Sequence, residues 1–189
     1  MLDRVTLKNV KFHKGHDGMD GLNADIYIDK VKVAHVYDDA RGGCFEYDVL
    51  GSIDSKQREI NKKLFKELED YIDSLPEEQM EYDGKKYERD GNPVMMKPDM
   101  DSIINDLVEE FEKEKSKKRL KKDMEKKIVF GKPNGNSYKL IGYKSPLKAI
   151  AMMKGGKEAI QKLVNRVKGE LKEGEEILND NLAELGIEV

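Results

Sequence analysis

Between Asn23 and Val49, apolar and polar residues alternate in three runs, and this period of two constrains the fold more than any other feature of the chain. Ala24, Ile26 and Ile28 alternate with Asp25, Tyr27 and Asp29, and Val31 and Val33 resume after Asp29-Lys30. Phe45, Tyr47 and Val49 then alternate with Cys44, Glu46 and Asp48. Successive strand side chains point to opposite faces, so these runs predict an antiparallel meander with one buried face. A two-residue turn at Asp29-Lys30 sets the expected register: Ile28 opposite Val31, Ile26 opposite Val33 and Ala24 opposite His35, with His35 on the apolar face. Asp-Lys is a poorer turn than Asp-Gly because lysine resists positive φ. Upstream, Val5 and Leu7 alternate, and Val10 and Phe12 follow one position out of phase, which predicts a strand with a bulge at Lys8 and Asn9.

Before the last of these strands the chain runs Asp38-Asp39-Ala40-Arg41-Gly42-Gly43-Cys44. Two carboxylates, a guanidinium, two conformationally free glycines and the chain's only thiol make Asp38, Asp39, Arg41, Gly42, Gly43 and Cys44 a candidate binding loop. The run IYIDKVKVAHVYDDARGGCFEYDV resembles a pattern in small uncharacterised proteins of tailed bacteriophages and prophages, where strand, turn and strand lead into Asn-Asp-Gly-His-Gly-Gly-Cys. Asp39, Gly42, Gly43 and Cys44 match that pattern, whereas Asp38, Ala40 and Arg41 stand where Asn, Gly and His are usual. The chain therefore lacks the histidine that any Cys-His or metal chemistry of such a loop would use. The likeness extends more loosely to residues 101–130 and to GEEILNDNLAELGI near the end. It implies a phage origin and action in the cytoplasm of a bacterial host, and it supplies no reaction.

Elsewhere the apolar spacing changes to three and four. Ile60, Leu64, Leu68, Tyr71, Ile72 and Leu75 predict an amphipathic helix over 55–75, closed by Pro76. Asp83-Gly84 and Asp90-Gly91 mark turns, with Tyr82 and Tyr87 as cross-strand packing. Ile103, Ile104, Leu107, Val108 and Phe111 predict a second helix capped by Asp99 or Asp101, which KEKSKKRLKKDMEKK either continues or restarts near Ser116. A hairpin over 127–130 and 138–143 with Asn134-Gly135 at its tip precedes a helix start at Ser145-Pro146. Another amphipathic helix runs through Ile160 to Leu171, and a last apolar set is Ile177, Leu178, Leu182 and Leu185. The expected fold is α+β: a small antiparallel sheet, made of the N-terminal meander plus a later hairpin, packed with five or six amphipathic helices, without repeats. Residues 1–145 are expected to form the α+β domain and 146–189 a C-terminal helical segment on the same core.

Charge is distributed unevenly although the net is only −3. Residues 113–148 carry 13 basic and 3 acidic groups, whereas residues 51–112 carry 9 basic and 18 acidic. Lys117, Lys118, Arg119, Lys121, Lys122, Lys139 and Lys144, with Tyr138 and Tyr143 among them, form a candidate anion- or nucleic-acid-binding set; the same cations also suit a helix C-terminus. His13, His16, Asp17 and Asp20 fit neither a helical His pair nor an EF-hand loop, and they read as a surface loop rather than a metal site. There is no phosphate loop, HExxH or CxxC, one cysteine forbids an internal disulfide, and no apolar run is long enough to span a bilayer. No cofactor and no membrane partner are expected. The reading that results is a phage-encoded, non-enzymatic binding protein acting on a host or phage macromolecule, with a host-directed inhibitor or anti-defence factor as one version. The alternatives are a nucleic-acid-binding accessory protein using segment 113–148, and a small enzyme or a protein sequestering a nucleotide or other small anion through loop 38–44.

Overall fold

The computed structural model describes every residue except 16, 17, 19, 52, 53, 83, 134 and 136, and of Tyr82 the backbone alone. Two compact units result, Met1–Glu112 and Lys113–Val189. In the first, strands β1 (Val5–Lys14), β2 (Asp20–Ile28), β3 (Val31–Tyr37) and β4 (Glu46–Val49) form an antiparallel meander in sequence order. The Asp29-Lys30 turn forms with φ 49° and 69°, the double positive φ of a type I′ hairpin. Arg4 clamps the Asp29 carboxylate. The bulge in β1 lies between Lys8 and Lys11, with Asn9 at φ 54°.

The register of the β2–β3 hairpin differs from the expected one. Ile28 faces Val31, but Tyr27 faces Lys32, Ile26 faces Ala34 and Asp25 faces His35, because a bulge inserts Val33 as an extra residue. One added residue moves every later side chain of β3 to the other face. Val33, Ala34 and Val36 are fully buried, and His35 lies on the polar face beside Asp25.

Helix α1 (Ser55–Asp73) packs against the apolar face of the sheet, started by Asp54, whose carboxylate accepts from the Lys56 N–H. Its buried stripe is Asn61, Phe65, Leu68 and Ile72, while Ile60 is 46% exposed. Of the expected stripe, Leu68 and Ile72 are buried and Leu64, Tyr71 and Leu75 pack against the core, so Ile60 alone is misplaced. Asn61 is kept inside by donating to the Leu50 carbonyl.

Residues 78–96 form three two-residue ladders: β5 (Glu78–Gln79) with β10 (Met95–Met96), β6 (Glu81–Tyr82) with β7 (Lys85–Lys86), and β8 (Glu88–Arg89) with β9 (Asn92–Pro93). At their centre Met80 donates to Val94, Val94 to Tyr87 and Tyr87 to Met80, a closed ring of backbone bonds among three residues placed at intervals of seven. The sequence carries the same period in Glu81-Tyr82-Asp83-Gly84-Lys85-Lys86-Tyr87 and Glu88-Arg89-Asp90-Gly91-Asn92-Pro93-Val94. This short repeat corrects the expectation of none; the Asp83-Gly84 turn itself lies partly outside the described residues.

Helix α2 (Met100–Met124) is continuous, so there is no restart at Ser116. Asp99 and Ser102 cap it reciprocally: Ser102 N–H donates to Asp99 Oδ1, and Asp99 N–H donates to Ser102 Oγ. In the second unit β11 (Lys127–Gly131) pairs with β12 (Tyr138–Gly142) and β13 (Glu176–Ile177). Helices α3 (Leu147–Ala151) and α4 (Gly156–Glu170) pack on it around Ile128, Phe130, Leu147, Ile160, Val164 and Leu182. The hairpin expected within 1–145 thus shares its core with the C-terminal helices. The Asn134-Gly135 tip falls partly outside the described residues.

The fold is α+β, but among the described residues it has four α-helices rather than five or six. The missing helix is the last: the segment from Ile177 to Leu185 is a two-residue strand, an irregular stretch and a 3-10 turn (Ala183–Leu185). Asn179 explains why. Its buried side chain accepts from Val129 N–H at 2.6 Å and donates to the carbonyls of Lys127 at 2.9 Å and Met124 at 3.2 Å. It thereby satisfies an orphan carbonyl at the α2 terminus, and it holds β11 in place of helix formation. Among the described residues no helix is long and apolar enough to cross a membrane.

Candidate functional site

The loop from Asp38 to Phe45 is shaped by its own carboxylates. Asp38 Oδ1 accepts from Ala40 N–H at 2.8 Å and Asp39 Oδ1 from Arg41 N–H at 3.0 Å, two successive side-chain turns. Asp38 N–H is tied to the Leu22 carbonyl. Ala40 is buried at φ 61°, a conformation that glycine adopts more easily, and Gly42 follows at φ 80°. Arg41, Gly42, Gly43 and Cys44 are exposed, and Arg41 Nε lies 3.6 Å from Asp39. A side chain added at Gly43 would meet nothing within 4 Å.

At its far end the loop is anchored by α2. Asp101 accepts from Phe45 N–H at 3.0 Å through one oxygen and from the Tyr47 hydroxyl at 2.5 Å through the other. Burial, reinforced by the adjacent Asp101 carboxylate, pushes the Tyr47 hydroxyl far above the usual phenol range. Asp101 was read from sequence only as a possible cap; its role across the fold leaves no local signature. A cleft of about 310 Å³ opens beside the loop, lined by Phe12, Leu22, Asp38, Gly43, Asp101 and Asn105 among others. A larger one of about 770 Å³ lies between α1, β4 and residues 97–100, over Tyr47 and Phe65.

The polar face of the sheet carries a connected network that the sequence reading missed, because it placed His35 among apolar residues. Buried Asp25 accepts from Lys32 at 2.8 Å and Asn9 at 2.7 Å, and it lies 3.0 Å from His35 Nδ1. His35 Nε2 meets Asn23 Oδ1 at 3.3 Å, and Asn23 Nδ2 reaches His13 Nδ1 at 3.3 Å. His13 stacks on Tyr37 with ring centroids 5.8 Å apart. Gly21 makes this possible, since a Cβ there would lie 2.5 Å from His13 Nε2. Burial acts to raise the Asp25 carboxyl, but hydrogen bonds from Lys32, Asn9 and His35 outweigh it and hold the group down at about 2.

Of the Gly-rich stretch before β2, His13 belongs to this network and Asp20 pairs with Lys14 at 2.6 Å, while His16 and Asp17 lie outside the described residues. Among the described residues no three His, Cys, Asp or Glu side chains are arranged to hold a metal ion. Both described histidines have their hydrogen bonds within the network.

The basic set divides. Lys117, Lys118, Arg119, Lys121 and Lys122 are exposed on α2. Lys139 is spent on Glu175 at 2.8 Å and on the Phe130 ring, and Tyr138 donates to Asp123 at 3.0 Å. Burial and that carboxylate raise the Tyr138 hydroxyl. Lys144 is exposed on the segment after β12. Neither a family model, nor a curated protein, nor a solved structure matches this chain.

Proposed function

We propose that the chain is a phage-encoded, non-enzymatic binding protein that docks on a macromolecule in the bacterial cytoplasm, a host protein first, as a host-directed inhibitor or anti-defence factor. One observation supports docking over catalysis: the carboxylates of loop 38–45 are committed to the loop's own backbone, and Asp101 to Phe45 and Tyr47, so residues 41–44 form a held, outward-facing surface. Cys44 is exposed on it, and His13 and His35 make their hydrogen bonds elsewhere.

The test uses Gly43, where an added Cβ would meet nothing within 4 Å. Tagged full-length protein is incubated with host lysate, and the captured partner is compared for the parent, Gly43→Trp and Cys44→Ser. Gly43→Trp is expected to lose the partner with an unchanged melting temperature, and Cys44→Ser to keep it. A partner retained by Gly43→Trp overturns docking through this loop. Maleimide labelling of Cys44 much faster than free cysteine, with loss of function in Cys44→Ser, would instead establish the enzyme alternative.

A further inference from the structure

We infer that the exposed second half of α2 binds the phosphodiester backbone of nucleic acid without reading its sequence. The inference stands independently of loop 38–45. From Glu112 to Arg119 eight successive residues are exposed, more than two turns, so no face of the helix is covered there; half-buried Leu120 and buried Met124 then supply a single anchoring edge. Lys117 and Lys121 form one row and Lys118 and Lys122 a second, each pair about 6 Å apart along the axis, with Arg119 beside them. Lys118 pairs with Glu114 at 3.1 Å, whereas among the described residues Lys117, Arg119, Lys121 and Lys122 have no carboxylate partner.

Two bland explanations fall short. Cations favour the negative end of a helix, but that effect is confined to the last turn, and Lys117, Lys118 and Arg119 lie before it. General solubility needs charge of either sign, yet here like charges stand at i, i+4, which weakens the helix that carries them. A linear polyanion relieves that repulsion. The surroundings agree, since residues 113–189 hold 19 basic and 11 acidic groups (+8) and residues 1–112 hold 16 and 27 (−11). Nucleic acid is the fitting partner because its charges repeat along a line, as these do. Of the groups that could read bases, Tyr138 is tied to Asp123, Lys139 to Glu175, and Tyr143 packs against the core of its unit. Contacts are therefore to phosphate, which positions but does not specify.

Full-length protein is titrated into a fluorescein-labelled 20-base-pair duplex and the matching single strand, read by anisotropy between 50 and 200 mM salt. One side of the helix meets three or four phosphates, so duplex affinity is expected to fall by about 40- to 150-fold over that range, with a shallower slope for the single strand. Reversing all five cations to Glu removes binding. Reversing Lys148, Lys154 and Lys168, exposed cations of the same unit, changes it only a few-fold. Lys118→Ala and Lys122→Ala, which spare the fold, each reduce the salt slope by about one. No binding at 50 mM salt, salt-independent binding, or an equal loss in the control reversal overturns the inference. Equal affinity for phosphatidylserine vesicles overturns the nucleic-acid assignment. A protein captured through loop 38–45 leaves each of these outcomes readable on its own.

Discussion

Replacing Asp25 with asparagine breaks the centre of the polar network while conserving shape. In the folded chain the Asp25 carboxyl sits at about 2 against an ordinary 3.8, held there by Lys32, Asn9 and His35 against the opposing cost of burial. A separation of nearly two units corresponds to about 2 kcal/mol, and the side chain is only 9% exposed, so solvent screening removes little of it. The folded value is depressed, so the unfolded chain takes up the proton first as pH falls. The stabilisation is fully present above pH 3.8 and is lost as pH drops through about 2. Denaturant unfolding followed by circular dichroism, at steps from pH 7 to pH 2, should show Asp25→Asn less stable by about 2 kcal/mol at pH 7. That gap should close toward pH 2. A gap that is absent at neutral pH, or that stays constant down to pH 2, would refute this account of the network.

Two further substitutions probe residues whose roles are tertiary. Asp101→Ala removes the acceptor for Phe45 N–H and the Tyr47 hydroxyl, bonds to a charged group, and should cost about 2–4 kcal/mol in equilibrium unfolding. The Tyr47 hydroxyl, followed by NMR, should then ionise more easily while staying above the ordinary range, because burial remains; no change would mean that Asp101 does not hold it. Asn179→Ala strands the Val129 N–H and the Lys127 and Met124 carbonyls, and should destabilise by about 2–4 kcal/mol; a loss under 1 kcal/mol would show that water replaces the amide.

Local pattern carried strands β1–β4, the β11–β12 hairpin, the two long helices and the Asp29-Lys30 turn, because each is set by spacing within about ten residues. The β3 bulge was also written locally. Val31 and Val33 alternate, but Ala34 and Val36 continue one position out of phase, the same shift that revealed the bulge at Lys8 and Asn9 in β1. Applying that rule to β3 would have moved His35 to the polar face and exposed the Asp25 network. The error in α1 has another origin: Asn61 and Ile60 compete for one inward position, and the Leu50 carbonyl, eleven residues away, decides for the polar residue.

The C-terminal segment and the basic set show where local reading stops. Ile177, Leu178, Leu182 and Leu185 have helical spacing, yet a helix there would take Asn179 away from backbone groups some 50 residues earlier, at a cost above the small gain that propensity offers. Net charge behaves in the same way. The excess of cations in 113–148 is plain in sequence, but Glu175 withdraws Lys139 from 36 residues away and Asp123 withdraws Tyr138 from 15. Besides Lys144, what tertiary pairing leaves unspent lies on α2, in and just after the stretch 112–119 where every residue is exposed. The charge that remains available for a partner is therefore set by which carboxylates the fold brings near, and among the described residues the cations on α2 that it leaves without a carboxylate are Lys117, Arg119, Lys121 and Lys122.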